Sequence, residues 1–383
     1  DTSWLGWRWC FFIGVPFALA GIVLLQRTLK LPTVRRQVRI DWLGAFLIVA
    51  GVCALLIWTS LAGNSFDWAS WQTAALVTTG LVLLIAAVFV EQRAAEPIIP
   101  LDIFRNRTVT LTTLASFFVG IAMFAGTVFL SQYFQISLGK SPTVAGLMSL
   151  PLIGGLLVSS TIAGQIISAT GKWKVYLIAG AVVMTAGLGL LSTIDADTHF
   201  GLLSVYMAFM GIGVGMLMQN LVLAAQNDVP AHELGAATSV LSFFRSLGGT
   251  IGTSVLGAIL ANRVAAEMTK GLAESGLPAA GGGHGSAVPD MTKLPEPMKQ
   301  IVEHAYGVAT GDLFLIATPF AFLGLLAVLF IKEKPLKTTS GMERLAAEEA
   351  AEGAAAATVP APRSAADDGV QDTTPGGVGL RKD

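Results

Sequence analysis

Charge is what this chain has least of. Only 13% of its 383 residues are Asp, Glu, Lys or Arg, against about 25% in an ordinary soluble domain. The 24 basic and 25 acidic residues nearly cancel. The basic ones sit in short loops between apolar runs and make no single basic face, which excludes a nucleic-acid partner. Cysteine is almost absent: Cys10 and Cys53 both lie in apolar runs, so no disulfide framework is expected. The four histidines, His199, His232, His284 and His304, have no metal-ligand spacing. No nucleophile–base arrangement or phosphate loop is present either, so the sequence points to no metal, no cofactor and no enzyme chemistry. The opening DTSWLGWRW carries no initiating methionine, basic n-region or cleavage site and reads as a piece of something longer.

What the chain does have is apolar surface. It is 53% hydrophobic, with a mean hydropathy of +0.67, the composition of an all-α integral membrane protein. Nine candidate spans stand out, at about 9–25, 42–62, 73–90, 109–131, 143–167, 175–193, 200–225, 236–261 and 311–331. Alternate short connections, unlike the opposite short loops, which hold almost nothing beyond Arg8 and Lys140, are rich in lysine and arginine: 26–41, 91–108, 171–175 and 332–337. By the positive-inside rule these are cytoplasmic, which puts the N-terminal end outside and the C-terminal tail inside a cell membrane. Trp4, Trp7, Trp9, Trp68 and Trp71 fit an interfacial aromatic belt. Residues 262–310, rich in glycine, proline and alanine, are expected to form a long external loop. The stretch 332–383 is expected to be a mostly disordered cytoplasmic tail.

One span carries a full charge. In AATSVLSFFRSLGGTIGTSVLGAILA, residues 236–261, Arg245 lies about nine residues, roughly 13 Å, into the hydrocarbon. An arginine there costs roughly 2.5–3.5 kcal/mol and must face protein or water. Gly249, Thr253 and Gly257 follow at four-residue spacing, with Gly248 and Gly252 beside them. That face lets another backbone come close. Two roles stay open for Arg245: a lining residue of a substrate pathway, or a structural or interfacial anchor.

Other polar groups within spans are Gln132, Tyr133 and Gln135 near one end of the fourth, and Gln219 and Asn220 in the seventh. They must face the bundle interior or an aqueous cavity. Met210 and Met216, in the run YMAFMGIGVGMLMQN, offer an adaptable wall or ordinary packing. Pro151 with Gly154 and Gly155 is a candidate hinge. No Asp or Glu falls deep in an expected span, and Asp312 is placed at a helix end.

The order WRWCFFIGVP, RIDWLGAFL, EPIIPLDIFRNRT, QYFQISLGKSPTVAGLMSLPL and FRSLGGTIGTSVLGAIL resembles the fourteen-helix drug/proton antiporter branch of the major facilitator superfamily over nearly all of residues 4–331. The resemblance implies a partial major-facilitator fold. Residues 1–25 would hold the last helix of an N-terminal half, 26–108 cytoplasmic linkers and two extra helices, and 109–331 the six-helix C-terminal half. It implies secondary export of hydrophobic or amphipathic compounds by proton antiport, with a small-molecule substrate, protons and the lipid bilayer as partners. The N-terminal helices of the same protein would be missing from this chain. Gly164, Gly171, Lys172 and Lys174 resemble the family's glycine-and-basic cytoplasmic turn, although Ser168 stands where that pattern has aspartate. The alternative is a membrane binding or scaffold fragment without transport.

Overall fold

The computed structural model describes residues 12, 14–28, 41–62, 65–67, 69–94, 99, 101–275 and 296–337. Expectations for Trp4, Trp7, Trp9, Cys10, Trp68 and His284, for the basic residues at 30–39, and for segments 276–295 and 338–383 lie outside them. The described parts of the nine apolar runs are helical. Eight are long and apolar enough to cross a membrane, among the described residues.

The chain divides into two units, 1–41 and 42–383. The first contains α1 (Gly14–Thr28), an apolar helix of 15 residues with Arg27 in its last turn. The second opens with a hairpin, α2 (Trp42–Leu61) and α3 (Trp71–Glu91). Leu55 packs over Gly80 and Leu84 over Gly51, where a Cβ would stand 2.8 or 2.9 Å from the leucine Cγ. Small residues let the two backbones approach without any help from water exclusion, the usual device between helices in lipid. Ser70 caps α3, accepting the Thr73 N–H at 3.3 Å.

The remainder is a bundle of α4 (Arg107–Ile136), α5 (Pro142–Met148), α6 (Leu150–Thr170), α7 (Lys174–Leu191), α8 (Phe200–Asp228), α9 (Leu234–Glu274) and α10 (Glu296–Leu329). Asn106 starts α4 and binds two elements at once. Its side-chain Oδ1 accepts the Thr108 N–H at 2.9 Å, while its side-chain Nδ2 donates to the Asp228 carbonyl at 3.1 Å. In the GIGVG run of α8, Gly211 and Gly215 lie against Leu152 and Leu156 of α6, and Gly213 lies against Met184 of α7. Glycines two apart thus serve opposite neighbours, and those four apart serve the same one.

Several expectations need correction. The span at 143–167 is built of two helices that abut at Ser149, α5 and α6, with Pro151 in the first turn of α6. At that position the missing N–H of Pro151 costs nothing. Gly164 lies inside α6; the turn consists of Gly171 at φ 72°, which caps α6, and Lys172, with α7 starting at Lys174. Helix consumes both flanks of the expected 262–310 loop, since α9 runs to Glu274 and α10 starts at Glu296. The 41 residues of α9 amount to about 61 Å, twice the hydrocarbon thickness, so its amphipathic end projects beyond the apolar layer. Asp312 therefore stands well inside α10, with Arg263 of α9 at 3.8 Å.

Of the expected tail, the described residues end at 337, and side chains of the bundle bind them. Residues 331–337 form no helix and lie at the end of the bundle that carries Lys172 and Trp173. The Trp173 indole N–H donates to the Lys334 carbonyl at 2.9 Å. Asn227 donates to the Pro335 carbonyl at 3.0 Å and accepts the Lys337 N–H at 2.9 Å, while Lys334 pairs with Asp228. A side-chain amide thereby satisfies backbone groups that lie past the last helix. At the opposite end, Ser137 Oγ donates to the Glu303 carbonyl at 2.8 Å.

Candidate functional site

The seam between α4 and α9 holds the charge that the sequence singles out. Val109 clusters with Ala237, Gly120 meets Arg245, and Phe129 meets Gly257, so the helices run parallel. The closest approach is backbone on backbone. A Cβ at Gly120 would overlap the Arg245 carbonyl oxygen, and one at Gly248 would overlap the Phe117 carbonyl oxygen. Gly249 lies under the Phe124 ring, and Gly252 under Ile121. The small face that follows Arg245 thus packs on α4, as its spacing predicts. Gly257 is the exception, making only ordinary contact with Phe129 at 3.9 Å.

Arg245 is buried, at 9% exposure. Among the described residues its guanidinium has neither a hydrogen bond nor an ion pair. The facing helix contributes two side chains that sequence reasoning passed over. Thr113 and Ser116 are 4% and 1% exposed, and neither hydroxyl has a hydrogen-bond partner. Thr113, Ser116 and Gly120 follow one another by three and four residues and so share a helical face. That spacing is visible in the sequence, but a Thr or Ser in an apolar helix usually bonds its own backbone. Thr112, next door, does so, donating to the Thr108 carbonyl at 2.9 Å.

The remaining candidates do not gather around Arg245. Tyr133 is fully buried, and its hydroxyl donates to the Asp195 carbonyl at 2.6 Å, tying α4 to the turn after α7. Gln135 donates to the Ser131 carbonyl and hydroxyl, both at 3.1 Å, within its own helix. Gln132 is half-buried, and Gln219 is exposed. Asn220 is buried and donates to the Met216 carbonyl at 2.6 Å, one turn back in α8. The Met210 side chain fills the recess over Gly126, and its backbone lies against Gly187, at 1% exposure. Met216 is half-buried against Gly180. Gly155 packs on the Ala208 carbonyl, while nothing approaches Gly154. At the basic end, Lys172, Lys334 and Lys337 border an open cavity of about 860 Å³ between the α6–α7 turn and the strap 333–337.

A family model described as Major Facilitator Superfamily matches residues 2–253. The multidrug transporter protein MdtP of Bacillus subtilis is 34% identical over 256 residues, 67% of this chain and 47% of that protein. An uncharacterised MFS-type transporter of Mycobacterium tuberculosis is 32% identical over 340 residues, 88% of this chain and 48% of its own length. The efflux pump dotC of Dothistroma septosporum is 30% identical over 347 residues, 88% of this chain and 60% of that protein. The chain spans about half the length of the curated relatives it matches.

Proposed function

Because this chain belongs to the major facilitator superfamily, a family of carriers and not of enzymes, we propose that it serves in the export of hydrophobic or amphipathic small molecules across the cell membrane. The observation that carries this reading is the similarity over two thirds of the chain to a protein named a multidrug transporter. The uncompensated cation in the α4–α9 seam supports it, since an intramembrane charge without a structural partner is the mark of a transport route. On this reading Arg245 is the polar landmark of that route, and the basic end with Lys172 and Lys334 faces the cytoplasm.

Proton exchange is the coupling we favour. It needs a protonatable group within the membrane. Among the described residues the carboxylates inside α9 and α10, Glu267, Glu303 and Asp312, lie toward the end opposite the basic one. We therefore assign coupling to helices that the relatives' additional length would supply. The test is loss of a lipophilic cationic dye from cells expressing the full-length protein, with and without a protonophore. Faster loss that the protonophore stops is the expected result; a rate equal to that of cells without the protein would refute export. Export that persists in the protonophore would remove the proton and leave the carrier.

A further inference from the structure

We propose that the cavity between the α6–α7 turn and the strap 333–337 binds the headgroup of an anionic phospholipid. This assignment goes beyond export and does not depend on it. The cavity, about 860 Å³, brings together two parts of the chain: Ser168 and Lys172, from the end of α6 and the turn after it, and Glu333, Lys334 and Lys337 of the strap. The apolar span Pro142–Thr170 ends at its edge. The cavity therefore stands at the level where lipid headgroups meet water.

Charge selects the headgroup. Three lysines border the cavity, and two carboxylates offset them. Lys334 is paired with Asp228, and the Glu333 carboxylate accepts the Lys174 backbone N–H at 3.4 Å. One positive charge is left over. Lys172 and Lys337 share it, since neither ammonium has a hydrogen bond or an ion pair among the described residues. The strap is held through its backbone, by Trp173 and Asn227, so the Lys337 side chain has no part in fastening it. A phosphodiester carries one negative charge, and lysine binds phosphate as a point charge. The Ser168 hydroxyl has a further proton to give.

A free anion needs only the cavity, and it is the surface leading there that selects a lipid. Val158, Ile162, Ile166 and Ala169 follow one another on α6 at helical spacing, and all four are exposed. Ala169 borders the cavity. This column is about 16 Å long and runs out of the apolar span into the basic recess. An acyl chain laid along it brings its phosphate to Lys172, the arrangement of basic pockets that hold anionic lipids at a membrane surface.

The test is the thermal midpoint of the purified full-length protein in a neutral detergent. It is titrated with short-chain phosphatidylglycerol and, in parallel, with phosphatidylcholine of the same chains and with inorganic phosphate. Phosphatidylglycerol should raise the midpoint saturably, and the other two should not. Lys172→Gln with Lys337→Gln should weaken the apparent affinity roughly thirtyfold. Should that pair not survive purification, Lys172→Gln alone decides, with a loss of about fivefold. Lys332→Gln is the matched control, because Lys332 is exposed at the same end but does not border the cavity. Salt screens charges at a distance, so the control should keep its affinity within about twofold.

Equal responses to the two lipids would remove the selection by charge and overturn the proposal. A response to inorganic phosphate matching that to phosphatidylglycerol would make this a free-anion site, and the lipid would fall. An equal loss in Lys332→Gln would reduce the site to the general basicity of that end. No response at all, as when another segment of the protein fills the cavity, would overturn it too. None of these readouts uses transport, so a failure of dye export with them intact would sink the export reading alone.

Discussion

The carbonyl oxygen of Arg245 sits on the Cα of Gly120, too close for any side chain to stand between them. The contact is backbone against backbone, so a substitution cannot be absorbed by a rotamer change. Gly120→Ala should push α4 and α9 apart and cost about 1–3 kcal/mol, as overpacking of a close-packed seam does. Gly164→Ala is the matched control, because nothing lies within 4 Å of a Cβ there. The control should be neutral or stabilising by up to about 1 kcal/mol, from helix propensity. Equal thermal midpoints for the two variants in detergent would contradict the seam as described.

The Gly154–Gly155 pair separates a hinge from a packing contact. A Cβ at Gly155 would stand 2.7 Å from the Ala208 carbonyl oxygen, whereas one at Gly154 meets nothing. Gly155→Ala should therefore lower the thermal midpoint and Gly154→Ala should not. A true hinge predicts another pattern, in which both substitutions slow export alike with little change in stability.

Asn227 and Trp173 hold the strap after α10 through bonds to backbone groups of Lys334, Pro335 and Lys337. Asn227 is 7% exposed. Asn227→Ala removes two hydrogen bonds to backbone groups of exposed residues, which water can replace, so the cost should be about 0.5–1.5 kcal/mol. Trp173→Phe loses one bond and keeps most of the packing, so its effect should be smaller. Limited proteolysis within 332–337 should speed up in the order parent, Trp173→Phe, Asn227→Ala. Indifference of the cleavage rate to Asn227 would mean that the strap is held by something else.

The sidedness we propose predicts which cysteines an impermeant thiol reagent can reach in intact cells. In a background lacking Cys10 and Cys53, Ser65→Cys should label from outside and Lys172→Cys only after permeabilisation. Both positions are exposed, so access and not burial sets the outcome. Reversed labelling would invert the orientation.

How much of this was legible beforehand depended on which physical signal each feature carries. Hydropathy sums over about 20 residues and needs no knowledge of neighbours, so the membrane class, the nine apolar runs and the basic connections between alternate runs could be read from the chain alone. The small face after Arg245 was legible for a similar reason: glycines at helical spacing mark a close approach whichever helix supplies the partner. The reach of α9 and α10 beyond the apolar layer was hidden, because hydropathy stops reporting where a helix leaves the hydrocarbon.

Facing was the larger gap. A soluble helix shows its buried side by contrast with a polar one, but here lipid is as apolar as the core, and α4 or α8 looks the same all round. Only the tertiary structure could place the Met210 side chain over Gly126, its backbone against Gly187, and Leu152 against Gly211. It alone shows Tyr133 spent on the Asp195 carbonyl and Asn220 on its own helix. Hydrogen bonding has a reach of about 3 Å, so whether a polar side chain is satisfied depends on which neighbours come within that distance. The sequence by itself determined that a cation lies in the membrane. That its backbone rests on Gly120, and that no described group bonds its guanidinium, was decided by how α4 and α9 meet.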